Sequence, residues 1–269
     1  MEKLTVLGTG YALATRCYNT CFAITNDRGT LLVDAGGGNG ILRQMEDAHL
    51  GFETVHDFFI THAHPDHLGG AVWVLRKVMT MMKAGTYEGE LHIYCHRTVH
   101  DGLQMIADLM LQKKLLRYIG ERVFFHDIED GTRATLCGYD VTFFDIGSTK
   151  LLQFGFTTTL HGGARLTCLG DEPYNPDCRR YVEGTDWLLC EAFCLNAHAD
   201  RFKPYEKHHS TALDAARLAN ELGVAHLVLW HTEDKHLAQR KALYTAEAHE
   251  VYGGDVYVPD DLDVIELGE

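Results

Sequence analysis

The chain has 269 residues, of which 46% are apolar and 23% charged, and this ordinary globular composition excludes fibrous and disordered classes. Its 24 Lys and Arg against 38 Asp and Glu give a net charge of −14, which repels phosphate backbones and argues against general affinity for nucleic acid. No apolar run approaches the roughly 18 to 20 residues that span a bilayer, and the N-terminal residues lead directly into a strand-like stretch. We therefore expect a cytoplasmic protein without a membrane partner. The eight cysteines form no CxxC pair and are expected to be buried as small hydrophobic residues.

The first half of the chain predicts strands before helices. The apolar stretch Leu4 to Leu7 is followed by Gly8-Thr9-Gly10, which is typical of a strand that ends in a loop. Two apolar runs, Cys21 to Thr25 and Thr30 to Asp34, flank a turn sequence and predict a β-hairpin. The further elements predicted in this half are a helix from Ile41 to about Leu50, a strand at Asp57–Ile60, a helix at Leu68–Met82, a strand at Leu91–Cys95, a mostly helical segment at Val99–Ile119, and strands at Val123–Phe125 and Tyr139–Asp145.

The second half repeats this coarse order. Two apolar runs, Trp187 to Cys190 and His226 to Trp230, predict buried strands on either side of a helix at Thr211–Leu222. The tail from Asp255 to Leu267 contains two short strand-like pieces joined at Pro259. No linker, charge block or repeat divides the chain, so we expect one domain over residues 1–269. Two sheets packed face to face with helices outside would accommodate this α/β pattern.

The strongest chemical signal is the segment Thr61 to Gly70. It places His62, His64, Asp66 and His67 within six residues, directly after a predicted strand. Imidazole and carboxylate groups suit zinc and similar divalent ions, and a loop can direct alternate side chains to two adjacent ions. This spacing predicts a metal site.

The HxHxDH array resembles the signature of the metallo-β-lactamase fold superfamily, in which a later His, a later Asp and a final His each follow a strand. This chain offers His161, Asp171 and His231 at such places. The resemblance implies a four-layer αββα sandwich of two mixed β-sheets with helices outside. It also implies two divalent ions per chain, with zinc expected and manganese or iron as alternatives. The implied ligands are His62, His64 and His161 for the first ion, Asp66, His67 and His231 for the second, and Asp171 as a bridge.

A second resemblance narrows the branch. The stretch from Trp187 to Phe193 and the later His-His-Ser-Thr-Ala segment are similar to motifs of the ribonuclease Z group of phosphodiesterases. That resemblance implies that Glu191 and His209 pair beside the metals and that His209 contacts the scissile phosphate. Cys190 stands where the family often has His, and one of Ser210 and Thr211 is also expected to cap the following helix. The basic arm that grips transfer RNA in that family has no counterpart, because only nine residues separate His161 from Asp171.

The expected mechanism follows from such a centre. Two ions about 3.5 to 4 Å apart lower the pKa of a bridging water, so that hydroxide is available near neutral pH. Asp66 is a candidate acceptor for the proton of the attacking water. His209, as imidazolium held by Glu191, would bind a phosphate oxygen or protonate the leaving oxygen. Asp34, at the end of a predicted strand, is either a support for a ligating His or a plain turn residue.

The leading hypothesis is a phosphodiesterase acting on a small or nucleotide-like substrate, with nucleic acid not expected as a partner. An arm-less nuclease of the ribonuclease Z type is a variant of it. A thioester, sulfate-ester or lactone hydrolase would use the same hydroxide, and a metal-binding ligand sensor is the alternative without catalysis. Dimers are common in proteins that resemble this one, while the sequence itself leaves the oligomeric state open.

Overall fold

The structure is a computed structural model that describes residues 2–268. The strands in this range are β1 (Lys3–Gly8), β2 (Cys21–Asn26), β3 (Gly29–Val33), β4 (Val55–Phe59), β5 (Leu91–Cys95), β6 (Val123–Asp127), β7 (Arg133–Leu136), β8 (Tyr139–Asp145), β9 (Phe154–Thr159), β10 (Arg165–Cys168), β11 (Trp187–Glu191), β12 (His226–Trp230), β13 (Asp255–Tyr257) and β14 (Val264–Glu266). The helices are α1 (Gly40–Asp47), α2 (Pro65–Leu68), α3 (Ala71–Ala84), α4 (Arg97–Met110), α5 (Lys113–Leu116), α6 (Arg179–Val182), α7 (Ala199–Phe202), α8 (Ala212–Leu222) and α9 (Arg240–Ala248).

Within the described residues the strands form two sheets of seven strands each. The first has the order β14-β1-β2-β3-β4-β5-β6 and the second the order β13-β12-β11-β10-β9-β8-β7. Strands β3 to β6 are parallel to one another, as are β10 to β13. The pairs that run from β1 to β3 and from β7 to β10 are antiparallel. Both sheets are therefore mixed, as predicted.

The two sheets pack face to face through aromatic and branched side chains. Phe22 of the first sheet stacks on Trp230 of the second with ring centroids 4.8 Å apart, and Phe59 meets Phe143 at 4.9 Å. Side chains alternate between the two faces of each strand, so Leu189 enters this core while its neighbours face outwards. The inter-sheet core fixes which ends of the strands meet.

Helices cover both outer faces. On the first sheet, α1, α3 and α4 bury their apolar stripes, and the Met79 side chain is fully covered there. On the second sheet, α8 and α9 do the same, with Ala216 and Tyr244 against the sheet. The four-layer αββα architecture expected from the sequence is confirmed.

Most predicted elements are present, and the differences have local causes. The hairpin of β2 and β3 and the strand β12 are found where predicted. The segment predicted as mostly helical from Val99 to Ile119 is divided at Leu111 into α4 and α5. Helix α9 and the four-residue strand β7 were not predicted, and β7 is too short to show a period. Seven of the eight free cysteines are buried, and Cys17 is partly buried.

The tail divides between the sheets. Strand β13 pairs with β12 at the edge of the second sheet, whereas β14 pairs with β1 at the edge of the first. The segment around Pro259 therefore crosses from one sheet to the other. No helix in the described range is both long enough and apolar enough to cross a membrane.

Candidate metal centre

The carboxyl ends of parallel strands from both sheets carry the polar residues of the site. His62 follows β4 of the first sheet by three residues. In the second sheet, Asp171 follows β10, Glu191 is the last residue of β11, and His231 comes directly after β12. Because β10, β11 and β12 are parallel neighbours, their ends lie side by side and bring these residues together.

Asp171 is the carboxylate on which three imidazoles converge. Its Oδ2 lies 3.6 Å from Nε2 of His62 and 3.5 Å from Nε2 of His67. The Nε2 atom of His231 is 3.6 Å from the same oxygen. Ligand atoms that each lie about 2.0 to 2.1 Å from a tetrahedral zinc ion are about 3.3 to 3.4 Å from one another. The observed separations are close to those of ligands that surround a metal.

His67 provides the clearest test of whether the residues fit an ion. Its Nδ1 donates to Oδ2 of Asp34 at 2.7 Å, which leaves the lone pair of a neutral ring on Nε2. That Nε2 is buried and has no hydrogen-bond partner among the described residues, although it lies 3.5 Å from the carboxylates of Asp66 and Asp171. A buried ring nitrogen that faces two carboxylates fits a proton or, in its place, a divalent cation between them.

The charges of the site depend on one another. Burial raises the pKa of Asp171, but the effects of His62 and His67, which lower it, are larger. The pKa of this carboxyl therefore lies well below its usual range. For Asp66, burial raises the pKa, while the nearby His67 ring lowers it below the ordinary value. Burial lowers the pKa of His67, but Asp34 and the other carboxylates raise it well above 6.5. A proton on His67 thus balances the carboxylates, and a divalent ion would replace it.

Two groups of three potential ligands have atoms within 4.8 Å of one another, and they are His62, His67 and Asp171, and Asp66, His67 and His231. His64 adjoins the first group, since its Nδ1 is 2.7 Å from Nε2 of His62. The structure therefore brings together all the predicted metal ligands except His161.

His161 is the exception, and the geometry corrects its assignment. It lies in the turn between β9 and β10, where its backbone N–H donates to Glu2 and its ring stacks on Tyr139. Strand β9 is antiparallel to β10, whose carboxyl end leads to the site. Strand β9 therefore starts near the site, and its last residues lie at the far end of the strands. Seven residues from Phe154 to Leu160 span about 20 Å at about 3.3 Å per residue. A side chain that is 41% exposed at that distance cannot join Asp171.

Gln153 is the residue that the sequence analysis missed. It directly precedes β9, at the end of that strand nearest the site, and is 1% exposed. Its Nε2 donates to Oδ1 of Asp171 and lies 3.1 Å from Nδ1 of His62. The only hint in the sequence is a single amide within an apolar run, which gives no metal-ligand pattern.

Asp34 supports the histidine array. Besides His67, its carboxylate accepts the backbone N–H and the hydroxyl of Thr61, both at 2.8 Å. Thr61 Oγ1 is in turn 2.9 Å from Nδ1 of His62. Of the two roles considered for Asp34, the contacts favour support for the ligands over a plain turn residue.

Glu191 and His209 lie together, but not as a hydrogen-bonded pair. Nδ1 of His209 donates to the backbone oxygen of Asp171 at 3.0 Å and is 3.7 Å from the Glu191 carboxylate. The Glu191 oxygens instead accept the backbone N–H groups of Ser210 at 2.5 Å and Phe193 at 3.1 Å. Glu191 thus fixes the backbone that carries His209.

The protonation states of this pair are set mainly by burial. Burial lowers the pKa of His209 to about 3 and raises the pKa of Glu191 to about 8. Without a bound ligand His209 is therefore neutral, with its proton on Nδ1. The predicted imidazolium requires an anion nearby to raise its pKa.

Lys150 brings positive charge to the site. It lies in the loop between β8 and β9, and its Nζ is 3.8 Å from the Glu172 carboxylate. Glu172 also accepts the hydroxyl of Ser148 at 2.8 Å, which holds the loop against the residue that follows Asp171. Burial is the main cause that lowers the pKa values of His209 and His231, and the Lys150 ammonium charge adds to it.

The curated relatives align with most of the chain, whereas the family model matches less than half of it. Residues 2–115 match the family model described as "Anti-Pycsar protein Apyc1". A ribonuclease Z of Myxococcus xanthus is 28% identical over 322 residues, covering 98% of this chain and 97% of that protein. A ribonuclease Z of Bacteroides fragilis is 24% identical and covers 97% of this chain and 99% of that protein.

Solved structures decide the fold. The metallo-β-lactamase fold protein YhfI of Bacillus subtilis superposes with a TM-score of 0.79 at 20% identity, covering 98% of both chains. The chain has the metallo-β-lactamase fold. Human tRNase Z, short form, has a TM-score of 0.73 at 20% identity and covers 98% of this chain and 99% of its own. A diphosphatase of the PhnP family has a TM-score of 0.71 at 17% identity, with 99% and 98% covered.

This chain, which has the metallo-β-lactamase fold, is shorter than its alignment with one relative. The alignment with the Myxococcus xanthus protein runs over 322 positions, more than the 269 residues here, so that protein has residues without a counterpart. Strands β9 and β10 are joined by a five-residue turn in which no arm is inserted. The names of these relatives nevertheless leave the expectation against nucleic acid unsupported.

Proposed function

We propose that the protein is a metal-dependent hydrolase with a dinuclear divalent centre, most simply zinc, and that it acts as a phosphodiesterase on a small or nucleotide-like substrate. The convergence of three imidazoles on Asp171 Oδ2, beside the unpartnered Nε2 of His67, carries the metal part. The hydrogen bond of His209 to the backbone oxygen of Asp171, and the pairing of Lys150 with Glu172, the next residue in the chain, support the phosphodiester part.

The ligands divide between two positions. His62 and His64 would hold the first ion, Asp66, His67 and His231 the second, with Asp171 between them. Ions bound there would supply hydroxide near neutral pH and neutralise charge on a phosphorane-like transition state. Asp66, whose carboxylate is ionised, would accept the proton of the attacking water.

His209 and Lys150 would act on the phosphate. An anionic phosphodiester near His209 favours its protonated form, which then protonates the leaving oxygen while Nδ1 stays on the Asp171 carbonyl. Lys150 would bind a non-bridging oxygen. Since Glu172 holds the loop that bears it, Lys150 reaches the substrate from a fixed position.

The second candidate is a nuclease, favoured by the similarity to ribonuclease Z over 98% of the chain. The net charge of −14 and the five-residue turn in place of an arm weigh against a gripped RNA. Hydrolysis of thioesters, sulfate esters or lactones would not require a group such as His209 that contacts a phosphate. A ligand sensor would bind metal without turnover.

The deciding experiment compares substrate classes on one zinc-loaded preparation. It measures hydrolysis of bis(p-nitrophenyl) phosphate, p-nitrophenyl acetate, p-nitrophenyl sulfate, a thioester, a lactone and a short single-stranded RNA. We expect phosphodiester turnover, with a loss of about 10²- to 10⁴-fold in His209→Ala. Turnover confined to the carboxylic or sulfur esters would contradict the phosphodiesterase, and cleavage of RNA alone would favour the nuclease.

Lys150→Met separates phosphate recognition from the metal chemistry. We expect KM for the anionic diester to rise about tenfold, while turnover of the neutral acetate ester stays unchanged, because only the diester carries a charge for the ammonium group. Lys77→Met, an exposed change on α3, is the matched control. Equal effects of Lys150→Met on both substrates would show that the lysine acts through folding alone.

A further inference from the structure

The first metal position has fewer strong ligands than the second. Beside Asp171 it offers two imidazoles, those of His62 and His64. The second position offers the carboxylate of Asp66 and the imidazoles of His67 and His231 beside the same Asp171. The two positions therefore differ by one strong protein ligand.

The direction of β9 explains the difference. The end of β9 nearest the site holds Gln153, and the turn at its far end holds His161. No imidazole therefore enters the first position from this strand.

Gln153 compensates in part. Its amide donates to Oδ1 of Asp171, the carboxylate oxygen that does not face the three imidazoles, and it lies 3.1 Å from His62. The amide thus holds the Asp171 carboxylate and the His62 ring in place from the side away from the converging atoms, since it faces Nδ1 of His62 whereas Nε2 faces Asp171, and it adds neither a charge nor an imidazole ligand. It is 1% exposed, so water does not readily take its place.

We propose that the two metal positions are unequal: the second holds its ion tightly, the first holds its ion weakly and exchangeably, and Gln153 in place of an imidazole sets this difference. The inference rests on the proposed metal-dependent function and refines it. A weakly held ion makes the activity depend on the free metal concentration even after one ion is firmly bound.

The test is a metal titration that does not depend on activity. Metal-free protein is dialysed against zinc buffered at graded free concentrations, and zinc per chain is measured by elemental analysis. We expect one ion to bind first and a second to bind at a free concentration at least about tenfold higher. Two ions taken up at the same free concentration would overturn the inference while leaving the proposed function in place. No bound zinc at any concentration would overturn both.

Four variants assign the steps. His64→Ala is expected to remove only the weak step and His231→Ala to remove the tight one. Gln153→His, which places an imidazole at the start of β9, is expected to move the weak step at least about tenfold towards the tight one. His161→Ala is the matched control and should titrate like the wild type. Loss of one ion in His161→Ala, or an unmoved weak step in a folded Gln153→His protein, would contradict the assignment.

Discussion

Asp34 is the residue that orients His67 for metal binding. Its carboxylate accepts from Nδ1 of His67 at 2.7 Å and from Thr61, and it sits at φ 54°, a left-handed conformation that Asn tolerates better than Ala. Asp34→Asn therefore removes the charge without adding backbone strain. We expect zinc affinity at the tight position to fall about 10- to 100-fold, measured by competition with a chromophoric chelator. An unchanged affinity would show that the hydrogen bond does not tune the ligand.

His209 predicts a pH dependence of stability. Burial holds its pKa at about 3, whereas the same ring in the unfolded chain titrates near 6.5. Below about pH 6.5, His209 binds a proton in the unfolded chain but stays neutral in the folded protein. The free energy of unfolding therefore falls as pH falls from about 6.5 towards 3, by at most about 1.4 kcal/mol per pH unit for this one group.

The measurement is denaturant unfolding of wild type and His209→Gln at pH 7.5, 6.5 and 5.5, both in chelator so that metal does not contribute. The variant is expected to lose less stability between pH 6.5 and 5.5 than the wild type. Parallel curves for the two proteins would show that His209 is not held neutral in the folded state.

At the scale of elements, the start of α8 positions the segment that bears His209. Thr211 and Asp214 form a capping box in which each side chain accepts the other residue's backbone N–H. The expectation that Ser210 or Thr211 caps the helix is thus confirmed for Thr211. Thr211→Ala is expected to lower the free energy of unfolding by about 1 kcal/mol, measured by denaturant titration. Thr80→Ala, at an exposed position of α3, serves as the control. If Thr211→Ala lowers the free energy of unfolding no more than Thr80→Ala does, the capping role of Thr211 is contradicted.

Which residues could be predicted from sequence also depends on the elements. The ligands from His62 to His67 are close in sequence, so their spacing alone defines a site. His161 and Gln153 stand at the two ends of β9, and only the pairing of β9 with β10 shows which end faces Asp171. The sequence alone does not predict the direction of β9 relative to β10, because both ends of the strand have similar local composition.

At the scale of the whole molecule, Arg240 ties the two sheets to the crossing tail. Its side chain is 1% exposed and donates to the hydroxyls of Thr9, after β1, and Thr232, after β12. It also donates to the backbone oxygen of Pro259 and to Asp260. Such a network was not predictable, since its members lie up to 231 positions apart in the chain.

Arg240→Met is expected to lower the free energy of unfolding by about 1 to 3 kcal/mol, because buried acceptors lose their donor. Lys241→Met is the matched control, since its ammonium group is half exposed and its ion pairs with Asp260 and Asp263 contribute about 1 kcal/mol or less. Denaturant unfolding measures both. A loss for Arg240→Met no larger than that of its neighbour would show that the network does not join the sheets.

The fold as a whole was largely predictable, because buried strands are continuous apolar runs and helices carry apolar stripes. The division of the tail was not, as β13 and β14 have similar short patterns yet join different sheets. Edge pairing of three-residue strands depends on the completed sandwich.

The metal centre draws its residues from both halves of the chain, with the histidine array following β4 and the remaining groups following β10 and β12. During synthesis on the ribosome, the array near residue 62 emerges long before its counterparts at Asp171 and His231. The nascent chain can therefore form at most a partial site until the twelfth strand has been made. In the proposed two-ion centre, loading of the tightly held ion would accordingly be a late step that depends on docking of the two halves of the molecule.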